Sequence, residues 1–168
     1  KGYEQHFDEL KKVAEECQKL KDELLALVDE DTEAFNKVMD AFRLPKKTEE
    51  EKAKQQSAVE EATKYAALIP FKTMEKSFAV LQFAKTAAEK GNRNSISDAG
   101  VAALLAQACC EGAALNVLIN INTLSKENSD SIAFAIKVRA GVEQIGAACL
   151  NLYEEVEAIV ARTIAQNE

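Results

Sequence analysis

The sequence predicts an all-α fold, an up-and-down bundle of long helices, on three observations. Only two Pro and six Gly occur in 168 residues, so few positions interrupt a helix. Ala, Leu, Glu and Lys, which form helices readily, are abundant. Apolar residues recur at steps of three and four, and no segment alternates as a half-buried strand does. Hydrophobic residues make up 47% and charged residues 29% of the chain, a globular balance. The length suits one domain spanning residues 1–168.

The first helix follows a countable rule. Tyr3, Phe7, Leu10, Ala14, Cys17, Lys21, Leu24, Val28, Asp31, Phe35, Val38 and Phe42 succeed one another at alternating steps of four and three. That spacing is a heptad seam on one long helix or two nearly collinear ones. Lys21 can snorkel outward along its aliphatic stem. Asp31 is too short to do so, and a carboxylate on a core-facing stripe needs donors, a cation or water. The alternative is a cap, in which "VDEDTEAF" breaks the helix and Asp29 or Asp31 starts a second one.

"RLPKKTEEE" ends this segment, since Pro45 disfavours helical geometry at Leu44, and Thr48 with Glu51 forms a capping box for the next helix. That helix is expected to run to about Ile69, where Pro70 kinks or breaks it. A third continues through Met74, Phe78 and Leu81 to Gly91, a candidate left-handed cap. After an amide-rich loop, Ser97 or Asp98 caps a fourth helix reaching about Ile121. The connector "NTLSKENSD" leads to a last helix from about Ser131 to Gln166.

The formal net charge of −7 weighs against nucleic acid as a partner, because no basic excess exists to displace counterions from phosphates. Cys17, Cys109, Cys110 and Cys149 lack CxxC spacing, and adjacent Cys109 and Cys110 on a helix point apart, so reduced, mostly structural thiols in an intracellular protein are expected. His6 is the lone histidine and has no partners for a metal site. No uninterrupted apolar run has membrane-spanning length, no signal peptide is visible, and a membrane role is not expected. No Gly-rich phosphate loop or nucleophile elbow is present.

Gly112, Asn116 and Asn120 are spaced by four and share one face of the fourth helix. Gly in a helix costs roughly 1 kcal/mol against Ala, so Gly112 implies something lying close to the backbone. A neighbouring helix, with the amides bonding across the contact, satisfies the pattern. So does a flat ligand over Gly112 whose polar edge is read by the amides.

"DEDTEAFNKVMDAFRLPK" and "SDAGVAALLAQACCEGAALNVLIN" resemble the cyclodeaminase/cyclohydrolase family, the cyclodeaminase part of formiminotransferase-cyclodeaminase and its stand-alone relatives. The resemblance covers nearly the whole chain. It implies an all-helical dimer acting on one-carbon-loaded tetrahydrofolate. Either 5-formiminotetrahydrofolate becomes 5,10-methenyltetrahydrofolate and ammonia, or the methenyl compound is hydrolysed to 10-formyltetrahydrofolate. It also implies a helix and a Gly-Gly-Gly-Ser-type stretch upstream of Lys1, and a formiminotransferase domain in the same or a partner chain.

Read onto that chemistry, Asp31 and Asp98 are the expected catalytic carboxylates. One serves as acid/base, and the other pairs with the pterin ring N–H and amino group. Asn116 and Asn120 become ligand-reading amides beside Gly112, with Asn94 and Ser97 of the loop as further contacts. Arg43, Lys46 and Lys47 either meet the glutamate tail of the folate, with or without polyglutamate, or are solvated helix-end cations. No metal or cofactor is called for, because folate is the substrate. A cytoplasmic location is expected. A non-catalytic helical dimerisation or scaffold domain is the reading from another class.

Overall fold

The computed structural model describes residues 3–166. Among these, four helices and no strand occur: α1 (Phe7–Phe42), α2 (Glu49–Lys90), α3 (Ile96–Asn122) and α4 (Ser129–Ala165), with short 3-10 turns before α1 and α3. The all-α, up-and-down fold class expected from the sequence is the one found. Short connections at residues 43–48, 91–95 and 123–128 reverse the chain each time.

α1 is unbroken, so Asp31 lies mid-helix and caps nothing. Its C-terminus is closed from across the turn, where Gln55 donates its side-chain amide to the carbonyls of Phe42 (2.6 Å) and Leu44 (3.2 Å). Orphan carbonyls of this kind need such donors. The Thr48–Glu51 capping box starts α2 as expected.

The expected break at Pro70 does not occur. α2 runs straight through it as a single helix. Proline lacks the N–H that would reach back to the carbonyl of Ala66, four residues earlier. Asn120 of α3 supplies that donor instead, its Nδ2 lying 3.3 Å from the Ala66 oxygen. Sequence periodicity cannot show a donor arriving from another helix.

Gly91 is not a left-handed cap either. Its backbone is extended (φ −81°, ψ −173°). Glycine is needed because an added Cβ would lie 2.4 Å from the Ala87 oxygen. Nor do Ser97 or Asp98 cap α3. Asn92 accepts from the Asn94 N–H at 3.1 Å, a 3-10 turn follows, and α3 begins at Ile96. α4 starts slightly earlier than expected, because Asn128 accepts from the N–H groups of Asp130 and Ser131.

α2 is the spine. It packs on the other three helices, whereas α1 has substantial contact with α2 alone. The main core, with Met74, Leu81, Cys110, Val117, Cys149 and Val156, joins α2, α3 and α4. A smaller cluster around Leu27, Ala34, Ala66 and Ile69 joins α1 to α2. Buried Glu60 of α2 accepts from the Ser125 N–H (2.9 Å) and the Ser131 hydroxyl, fastening the α3–α4 connector to the spine.

The seam on α1 is shifted in half its positions. Leu10, Cys17, Leu24 and Val38 face inward as expected, but their companions are Leu20, Leu27, Ala34 and Ala41. Val28, Phe35 and Phe42 stay largely exposed. The small side chains at 34 and 41 let α1 approach α2 closely, which aromatic rings at 35 and 42 would prevent.

α3 carries two seams. Ile96, Ala99, Ala103, Ala106, Cys110, Ala113, Val117 and Ile121 are buried. Asp98, Val101, Leu105, Ala108, Gly112, Leu115 and Ile119, also at steps of three and four, are all exposed. This double apolarity makes Arg93–Asn122 long and apolar enough, by length and composition, to cross a membrane.

Asn120→Ala is expected to cost about 1–2 kcal/mol by orphaning the Ala66 carbonyl. In a Pro70→Ala background the restored N–H serves that carbonyl, so the loss should shrink. Urea unfolding of the four proteins in a double-mutant cycle measures the coupling.

Candidate active site

Because α1 and α3 both pack on α2 and hardly on each other, a groove runs between them with α2 as its floor. Cavities occur along its length, and two of them contain a predicted carboxylate.

The first, of about 550 Å³, brings together Asp31 and Thr32 from α1, Ile69, Pro70 and Thr73 from α2, and Cys109, Gly112 and Asn116 from α3. Asp31 continues the inward stripe Leu20, Leu24, Leu27, Ala34, Val38, yet it is exposed, because the groove opens in front of it. Thr32 and Thr73 donate their hydroxyls to the carbonyls of Val28 (3.2 Å) and Ile69 (3.3 Å). Their oxygens thereby remain available as acceptors toward the cavity. Asn116 makes no side-chain hydrogen bond among the described residues. An added Cβ at Gly112 meets nothing within 4 Å. Among the described residues, no other helix is the expected close neighbour over Gly112. An apolar floor with one carboxylate, one free amide and two hydroxyl oxygens suits a flat ring bearing polar edges.

The second cavity, of about 330 Å³, lies toward the start of α3 and contains Asp98 with Asn92, Ser95, Cys17 and Phe83. Asp98 sits in the first turn of α3, where the helix dipole favours a negative charge. Asp98 and Gly112 are separated by about 21 Å along α3 at 1.5 Å per residue. Within one chain, therefore, Asp31 and Asp98 do not face the same atom.

The remaining predicted residues are dispersed. Asn94 and Ser97 are exposed and line neither cavity. Asn120 has its amide engaged on Ala66, the helix-bridging role. Arg43 pairs with Asp40 at 2.9 Å on the surface, and Lys46 and Lys47 are exposed in the same turn. That turn is about 18 Å from Asp31 along α1. A larger cavity of about 720 Å³, bounded by His6, Lys90, Arg93 and Arg162, contains none of the predicted residues. Thr73 and Cys109 were missed by the sequence reading. Thr73 carried no signal of its own, because the sequence alone gives no sign that the helix continues unbroken past Pro70.

Cys109 and Cys110 do diverge, the first into the groove and the second into the core. Cys149 donates a hydrogen bond to Cys110, and this bond together with burial holds the Cys149 thiol protonated far above its ordinary range. Receiving that bond lowers Cys110. All four cysteines are free. Among the described residues no group of three His, Cys, Asp or Glu side chains is placed to hold a metal ion.

A four-helix bundle with carboxylates and amides along an apolar groove defines a binding or catalytic scaffold, and comparison makes it specific. The chain belongs to the formiminotransferase-cyclodeaminase family, which matches residues 1–143. A methenyltetrahydrofolate cyclohydrolase of Methylorubrum extorquens is 40% identical over 164 residues, covering 95% of this chain and 76% of that protein. A formimidoyltransferase-cyclodeaminase of Gallus gallus is 32% identical over 139 residues, 82% of this chain but only 26% of that longer protein. A crystal structure of formiminotetrahydrofolate cyclodeaminase from Thermotoga maritima superposes with a TM-score of 0.82 at 28% identity, covering 98% of this chain and 75% of that one.

Gly112→Ala separates packing from site. In the folded chain it should stabilise α3 by up to ~1 kcal/mol, since the space is open and Ala is the better helix former. Asp31→Asn, at an exposed position, should change unfolding free energy by no more than ~0.5 kcal/mol. Chemical denaturation reads both.

Proposed function

We propose that this chain processes one-carbon-loaded tetrahydrofolate in the Asp31 cavity, and that its reaction is formimidoyltetrahydrofolate cyclodeamination. The observation that carries this is the convergence of Asp31, Asn116 and Gly112, far apart in sequence, on one apolar-floored cavity. The family membership supports it.

The chemistry needs few groups. N10 of the substrate attacks the cationic formimino carbon, forming a C–N bond and a tetrahedral centre whose N10 carries an extra proton. Asp31 accepts that proton and delivers it to the amino nitrogen, which departs as ammonia while the methenyl cation forms. An unprotonated amide could not leave. Acid–base help of this kind contributes roughly 10²–10⁴-fold. The carboxylate also stabilises a cation held against an apolar wall. Asn116 orients the pterin edge, and the substrate is itself the folate, with no further cofactor. We read the 168 residues as a single domain of a cytoplasmic homodimer, its outward α3 seam covered by protein.

A second reading has its own support. The methenyl compound is also a cation, and the same carboxylate would activate water to hydrolyse it to 10-formyltetrahydrofolate. The Methylorubrum extorquens relative is named for that reaction.

The test offers the full-length protein both substrates and follows the methenyl chromophore. Its appearance from 5-formiminotetrahydrofolate, with ammonia, supports cyclodeamination. Its disappearance alone transfers the assignment to the cyclohydrolase. A protein that binds neither folate is a scaffold. Asp31→Asn should lower turnover ~10²-fold or more with little change in KM. Asn116→Ala should raise KM more than it lowers kcat.

A further inference from the structure

We propose that Thr73 makes the Asp31 cavity selective for the reduced, tetrahydro state of a pteridine ligand, by accepting a hydrogen bond from the ring N8–H. The proposal rests on the folate reading for its ligand, holds for either reaction, and gives a task to a residue that reading leaves without one.

The cavity is short of donors. Its polar side chains are Asp31, Thr32, Thr73, Cys109 and Asn116. A carboxylate only accepts. A threonine hydroxyl can donate or accept, but it has a single proton to give. Both threonines commit that proton to a helix carbonyl four residues back, Thr32 to Val28 at 3.2 Å and Thr73 to Ile69 at 3.3 Å. Backbone N–H groups in the middle of α1, α2 and α3 are used within their own helices, and Pro70 has none. Among the lining residues the Asn116 amide is the one strong donor left, with the Cys109 thiol a weak one.

The two hydroxyls differ in setting. Thr32 is exposed on the α1 wall, where water competes for its oxygen. Thr73 is half-buried on α2 and lines the floor with Ile69 and Pro70. A hydrogen bond missed at such a floor position is poorly replaced by water, so a mismatch there discriminates between ligands. A site built to bond one N–H or O–H rejects an analogue lacking it far more strongly than an apolar pocket does.

A pteridine changes its bonding character at one suitable atom. In the tetrahydro state N8 bears a proton and donates. In the fully oxidised state N8 is a bare aromatic nitrogen and accepts. The pyrimidine edge, with its amino group, N3–H and carbonyl, is the same in both states, so Asn116 reading that edge does not distinguish them. An acceptor fixed on the floor does. Thr73 completes a bond with N8–H but sets lone pair against lone pair with a bare N8. The 5-formimino and 5,10-methenyl compounds both carry N8–H. Asp31, on the opposite wall, is left for the one-carbon group.

Equilibrium binding to the full-length protein tests this with three ligands: 5-formyltetrahydrofolate, its 8-deaza counterpart, in which carbon replaces N8, and folic acid. The 8-deaza compound keeps the puckered reduced ring and loses only the N–H. Wild-type protein should bind 5-formyltetrahydrofolate about 10–100-fold more tightly than either of the others. Thr73→Ser keeps the hydroxyl and should keep the preference. Thr73→Val should bring 5-formyltetrahydrofolate and its 8-deaza counterpart to within about 2-fold of each other. Wild-type protein that binds these two equally, a comparison that needs no variant, overturns the proposal, as does a folded Thr73→Val protein that keeps the full preference. Binding of folate without discrimination removes this proposal alone, whereas no binding of any folate removes the folate reading and this proposal with it.

Discussion

The missing N–H of Pro70 is the constraint around which the bundle is arranged. α2 supplies the surface on which the three other helices pack, so a kink at its midpoint would misdirect all of them. The Asn120 amide fills the gap at Ala66 and thereby ties the middle of α2 to the far end of α3. The same proline forms part of the floor below Asp31. A ring without a donor presents a smooth apolar surface there, and the donor that replaces it arrives from behind, outside the cavity. Continuity of the spine and shape of the site thus depend on one pairing.

α3 shows how one helix serves two surfaces. Between Ile96 and Ile121 its inward seam is built of Ala, Cys and Val, small enough for close packing with α2 and α4. Its outward seam is equally regular and uncovered within the chain. Helices that are apolar all round are buried by something. Asp98 and Gly112 interrupt the outward seam and Asn116 flanks it, away from the core, where chemistry or recognition does not loosen the packing.

Much of the fold was legible in the sequence. Long periodic segments, the Thr48–Glu51 box and the turn around Pro45 are local features, and local features survive into the structure. Two of the readings that failed depend on distant groups, and a third on a local backbone angle. Pro70 reads as a breaker unless Asn120 is known to stand opposite. The α1 seam offers two interleaved apolar stripes, and the small Ala34 and Ala41, rather than the large Phe35 and Phe42, win the contact with α2. Gly91 looks like a left-handed cap but is required by a nearby carbonyl. Of the site, the meeting of Asp31, Gly112 and Asn116 was legible because each disturbs an otherwise regular stripe. Thr73 disturbs nothing, and the separation of Asp98 from Asp31 is a matter of helix length rather than composition.

α1 touches the rest of the molecule along a single side, through the Leu27–Ala34 cluster and exposed ion pairs such as Lys72–Glu30 at 3.2 Å, which individually contribute little. Amide exchange should accordingly be fastest to open there, well below the free energy of global unfolding. Asp31 rides on this loosely moored helix, so whatever fills the groove pulls α1 down onto α2. Occupancy and local rigidity are then two sides of one equilibrium: each molecule bound is a helix quietened, and a chain whose first helix is frayed is a chain with a weakened grip on its ligand.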